Sequence, residues 1–170
     1  MRSNAIILGM GRLEMQNSVC CFTGHRNLPA NKIEKILRNL DREIDNLIAK
    51  GVTDFMSGGA LGFDQIAASL IVAKKEMYKN IRLIFALPCK NQDEKWNEEQ
   101  RNLYKILLFE ADEVIYVSDE YDDFCMWKRN NYMVEHSACC ICALLHERSG
   151  TDQTVRYARK KGLRIVNVTE

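Results

Sequence analysis

Apolar residues follow two rhythms along this chain. Short, largely apolar runs occupy residues 19–22, 54–57, 81–87, 113–117, 138–145 and 164–168. Such runs, bounded by turn residues, predict buried strands. Between them, apolar residues recur at steps of three and four. The clearest set is Ile33, Ile36, Leu37, Leu40, Ile44, Leu47 and Ile48. That spacing puts one apolar stripe on a helix. Helices are predicted over 32–50, 64–79, 93–109, 125–137 and 151–161, with Gly51 and Gly162 as stop signals.

Strand and helix alternate from end to end, and the strands are apolar on both faces. A sheet covered on both sides needs such strands, and parallel connections supply the covering helices. The prediction is an α/β, Rossmann-like three-layer sandwich: a mostly parallel sheet of five to six strands with helices on both faces. Residues 18–170 read as a single domain. Residues 1–17 read as a flexible or non-native N-terminal extension, with Met10 and Met15 as alternative starts.

Composition narrows the classes. The chain has 170 residues, 46% hydrophobic and 28% charged, with a formal net charge of +1. Near-neutral charge argues against a broad nucleic-acid-binding or membrane-binding surface. No apolar run approaches the roughly 20 residues of a membrane span. The seven cysteines are odd in number, and two pairs are adjacent within apolar runs. Disulfide frameworks space their cysteines through loops, so these read as reduced, buried and cytoplasmic. Their spacing fits no metal site.

Ligands of such sheets bind beyond the carboxyl ends of the strands. Five loops lie there. Ser57, Gly58, Gly59, Ala60, Gly62 and Asp64 lie in or beside a strand-to-helix turn. Glycine allows close backbone approach, and a helix start offers free N–H groups to an anion. Asp64 alternatively caps that helix. Thr23, Gly24, His25 and Arg26 follow the first strand. Arg26 suits a bidentate clamp on phosphate. Pro88 closes the third strand, and Trp96 beyond it can stack on a ring. Arg129 and Asn130 offer donors for an anion or a base edge. Ser149, Gly150, Thr151 and Thr154 form a second helix start suited to phosphate, or simply a cap made by Thr151 or Asp152.

In this order, the strand ending Cys21-Phe22-Thr23-Gly24-His25-Arg26, the loop Ser57 to Asp64, Leu87-Pro88-Cys89 with Trp96, Arg129-Asn130-x-Tyr132-Met133 and Ser149-Gly150-Thr151 resemble the YpsA-like family of the SLOG superfamily. The resemblance covers residues 19–168. It implies a nucleotide or nucleotide-derived ligand, homo-oligomerisation and a link to bacterial cell division, with a protein partner there. Superfamily relatives include LOG-type phosphoribohydrolases, which cleave N-glycosidic bonds of nucleoside monophosphates, and DprA-type DNA-binding proteins. The LOG-type loop P-G-G-x-G-T-x-x-E carries a catalytic glutamate. Here the comparable stretch runs Ser149 to Arg156, and Arg156 stands where that glutamate would be. Asp64, Glu94 and Glu98 are the carboxylates left to replace it. The resulting expectation is a nucleotide-binding sensor or regulator. Its alternatives are a nucleotide N-glycosidase and a cell-division interaction protein. No cofactor is expected beyond a nucleotide-like ligand.

Overall fold

The computed structural model describes residues 18–170; the predicted extension at 1–17 lies outside them. Six strands, β1 (Val19–Gly24), β2 (Asp54–Ser57), β3 (Arg82–Leu87), β4 (Glu113–Tyr116), β5 (Cys139–Ala143) and β6 (Arg164–Asn167), alternate with five helices. These are α1 (Ala30–Ala49), α2 (Phe63–Lys74), α3 (Glu98–Glu110), α4 (Cys125–Glu135) and α5 (Gly150–Lys160). The strands form one sheet in the order β4-β3-β2-β1-β5-β6, and every pairing is parallel. The predicted Rossmann-like α/β sandwich is therefore present, with all six strands. β4 and β6, expected to be buried, are largely exposed and partly exposed respectively, because each is an edge strand with a neighbour on one side only.

Alternation along β1 explains the layers. Cys20 and Phe22 face one side, where they pack with Leu40, Ile44, Phe55, Phe63, Ile71 and Tyr104. Val19 and Cys21 face the other, against Met56, Ile84, Met133, Val134 and Val155. Helices α1, α2 and α3 thus cover one face, and α4 and α5 the other. Phe22 stacks on Phe55 with ring centres 6.0 Å apart and meets Phe63 edge-on. All seven cysteines are buried and free. Cys20 lies opposite Cys139, and Cys21 opposite Cys140, across the β1–β5 seam.

Some element ends differ from expectation. The helix predicted from residue 93 starts at Glu98, because Asn97 and Gln100 close a capping box there. β5 stops at Ala143 rather than Leu145, since the Asn167 side chain accepts from the Leu144 N–H and donates to the Leu144 carbonyl. α2 stops at Lys74, whose ammonium reaches Asp41 and Asp45 of α1 at 2.8 and 2.6 Å. Among the described residues, no helix is long and apolar enough to cross a membrane.

The chain runs outward from β1 to β4, then crosses back to place β5 on the other flank of β1. At such a reversal the loops after neighbouring strands part and leave a crevice.

Candidate functional site

That crevice holds a cavity of about 250 Å³. Thr23, Gly24, His25 and Arg26 reach it from the end of β1. Ala60 and Asp64 reach it from the β2–α2 turn, Arg129 and Asn130 from α4, and Gly150 and Thr151 from the start of α5. Four separate loops or helix starts predicted from sequence therefore converge on one hole. Phe22 and Met126 complete the lining.

Glycines let the loops close on one another. Gly62 has φ +83°, and a Cβ there would lie 2.6 Å from the Arg26 carbonyl carbon. The Phe63 N–H donates to the His25 carbonyl across the same contact. A Cβ at Gly24 would lie 2.5 Å from that of Phe63. The β1–α1 loop is thus pressed directly onto the start of α2.

The turn's donors serve the protein itself. The Gly58 and Ala60 N–H groups bond the Asp64 carboxylate, and the Gly59 N–H donates to Ser57 Oγ at 3.2 Å. Ser57 Oγ in turn donates to the Asp64 carbonyl at 2.9 Å. Gly58, Gly59 and Gly62 stay behind the lining and build the turn. The Gly58 and Ala60 amides face a carboxylate where the sequence suggests a phosphate, and the Gly59 amide faces a hydroxyl.

Arg129 is buried beside this turn, 5% exposed. Its guanidinium donates to the Gly58 carbonyl and, at 2.7 Å, to the Asn130 side-chain oxygen. Gln92 also donates to Gly58, and to the Tyr104 hydroxyl at 3.1 Å. Burial pushes the Asp64 carboxyl up to about 6, against the pull of Arg129, the turn's N–H groups and Arg26. Burial also lowers the Arg129 guanidinium. His25 packs at a tilt against His146 with ring centres 4.2 Å apart, and burial together with His146 lowers its pKa.

At α5 the expected cap moves by two or three residues. Ser149 accepts the Asp152 N–H at 3.1 Å, so neither Thr151 nor Asp152 is the N-cap. The Asp152 carboxylate instead holds the Arg148 N–H and the Arg156 guanidinium. Arg156, standing at the LOG glutamate position, thereby serves the helix start. The Thr154 hydroxyl donates to the Gly150 carbonyl. Gly150 and Thr151, the first residues of α5 and the positive end of its dipole, line the cavity.

Two predicted residues sit apart. Trp96 packs edge-on against Tyr104, ring centres 5.0 Å apart, and Pro88 is buried with its carbonyl held by the Ser118 N–H. Phe22, Met126 and His146 lie at the site without a role assigned to them from sequence. Met126 sits one turn before Asn130, so helical periodicity from Arg129 was the usable signal. His146 has no local signal, because its contact with His25 depends on β5 lying beside β1. A shallow apolar groove of about 400 Å³ between Leu37, Ile66, Leu70 and Leu103 lies among the helices and offers little polar chemistry.

The Asp64 shift has a signed consequence for stability. Between about pH 4 and 6 the folded chain holds a proton on Asp64 that the unfolded chain has released. Stability from this group is therefore full below pH 4 and lost as pH rises through 6. The loss amounts to about 3 kcal/mol at most, from about 1.4 kcal/mol per pKa unit. Thermal melts of wild type and Asp64→Asn should diverge accordingly between pH 4 and 7; parallel curves would refute the shift.

A family model named YpsA and described as the YspA SLOG family matches residues 20–165. The uncharacterized SPbeta prophage-derived protein YoqJ of Bacillus subtilis strain 168 is 35% identical over 130 residues, covering 69% of this chain and 76% of that protein. A UPF0398 protein of Bacillus cereus strain ATCC 14579 is 26% identical over 133 residues, covering 76% and 72%. Among solved structures, DNA processing protein A from Helicobacter pylori aligns with TM-score 0.62 at 20% identity, over 91% of this chain and 66% of that one. DprA from Streptococcus pneumoniae aligns with TM-score 0.57 at 16% identity, over 92% and 51%. This chain thus spans slightly under two thirds of the first and about half of the second. These likenesses concern the fold.

Proposed function

Because this chain belongs to the YspA SLOG family, we propose that its cavity binds a compact nucleotide or nucleotide-derived phosphate and that the protein acts as a sensor or regulator. The observation that carries this reading is the convergence of Arg26, Arg129 and the start of α5 on one polar cavity. Two guanidinium groups and a helix N-terminus are what an anionic phosphate needs. A volume of about 250 Å³ is small beside typical drug-sized pockets of about 300–1,000 Å³ and suits a sugar phosphate or one nucleotide. Arg26 is exposed at its mouth, free to fold onto a ligand.

Native mass spectrometry of the purified chain is expected to show an adduct of nucleotide mass. Calorimetry with AMP and ribose 5-phosphate should give saturable heats. Arg26→Ala should weaken binding by about 10- to 100-fold, the range of a lost charged hydrogen bond, with little change in melting temperature. Equal affinity in that variant would remove Arg26 from the site.

A second reading rests on Asp64. A cavity-lining carboxyl with a pKa of about 6 suits general acid–base chemistry on an N-glycosidic bond. It predicts free base released from nucleoside monophosphates, whereas the sensor reading predicts none. The Helicobacter pylori relative binds single-stranded DNA. With a net charge of +1, this chain is expected to bind an oligonucleotide weakly, if at all, at physiological salt. Fluorescence anisotropy with a labelled single strand reads this directly.

A further inference from the structure

The cavity contains a negative charge of its own. Asp64 is 5% exposed, lines the cavity from the start of α2 and is held by two N–H groups of its own turn. The cations facing it are Arg129 on α4 and Arg26 on the β1–α1 loop. The same two residues are the cationic side chains that line the cavity. The other titratable groups around this charge cluster, among the described residues, are His25 and His146 at the β1–β5 side, and Tyr104, Cys89 and Cys125 near Arg129. An incoming anion and Asp64 therefore draw on one set of positive charges in a poorly solvated space.

Resting on the reading that the cavity takes a phosphate-type anion, we infer that anion binding here is coupled to proton uptake by Asp64. The ligand's charge engages Arg26 and Arg129, the carboxylate loses that compensation, and a proton from solvent neutralises it. No bond in the ligand changes. Two like charges a few ångströms apart in a low-dielectric site cannot both stay ionised cheaply. A carboxyl already pushed up to about 6 needs only a modest further push to be protonated near neutrality. By linkage, the anion then binds more tightly as pH falls. A sensor built this way reads its ligand and the local proton concentration together.

Inorganic sulfate is the clean probe, since it has no proton of its own to exchange in this range. Sulfate titrated into the full chain at pH 6.5, in two buffers of different ionisation heat, should show uptake of about half a proton per anion bound, if binding raises the carboxyl's proton affinity about tenfold. Sulfate affinity should then fall about tenfold from pH 5 to 8 through this group. Asp64→Asn should lose that part and keep only what the histidines contribute. Should the variant fold poorly, carbon-13 titration of the Asp64 carboxyl in wild type should show its midpoint moving up when sulfate is added. Zero uptake in wild type, equal uptake in Asp64→Asn, or an unmoved carboxyl midpoint would overturn the coupling while leaving anion binding intact. Absence of binding by both sulfate and AMP would overturn the anion reading, and the coupling with it.

Discussion

Replacing Arg129 with alanine is expected to destabilise the protein by about 3–5 kcal/mol, the range for removing one partner of a buried charge pair. The guanidinium is 5% exposed and holds the Gly58 carbonyl and the Asn130 side chain. It is also the largest attraction keeping Asp64 ionised. Its loss strands a buried carboxylate and leaves the Gly58 carbonyl with only the longer bond from Gln92. Asp64 should then take up a proton at neutral pH, and ligand binding should disappear. Chemical denaturation measures the first effect. A double-mutant cycle tests the cause: Arg129→Met with Asp64→Asn should cost clearly less than the sum of the two single changes. Additive costs would show that the two residues do not compensate one another.

Gly62→Ala is expected to cost about 3–4 kcal/mol, at the upper end of single substitutions. Two effects add. A φ of +83° with ψ −124° is a region that side chains avoid, and the new Cβ would press on the backbone of Arg26, which no rotamer change relieves. The β1–α1 loop must move away, taking Arg26 out of the cavity. Gly150→Ala is the matched control: its Cβ meets nothing within 4 Å and its backbone is already helical. That variant should melt within a degree or two of wild type. A comparable loss in both would assign the effect to glycine replacement in general, and not to this contact.

The contrast between those glycines marks how far sequence reasoning reaches. Strand, helix and layer order were legible because burial on both sheet faces leaves an unmistakable apolar rhythm in runs such as those around Cys21 and Ile141. That the candidate loops gather at one end of the sheet was legible too, since they follow strand ends. The roles inside it were not. Gly58 and Gly59 look like a phosphate cradle in one dimension. Only the fold shows Asp64 turning back to fill it. Trp96 looks like a stacking platform until Tyr104, eight positions on, meets it across a capped helix start. His146 and His25 are far apart in sequence and meet only because β5 returns to lie beside β1.

That return also sets the order in which the protein can assemble. β1 to β4 are stitched by successive neighbours, whereas the β1–β5 seam joins residues near position 20 to residues near position 140. Closing so long a loop is paid for before the contact rewards it, so the seam should form late. The cavity straddles that seam. During refolding, helix signal should return ahead of ligand competence, and the His25–His146 contact should be among the last features acquired. A nascent chain would then carry most of its architecture before its cavity exists.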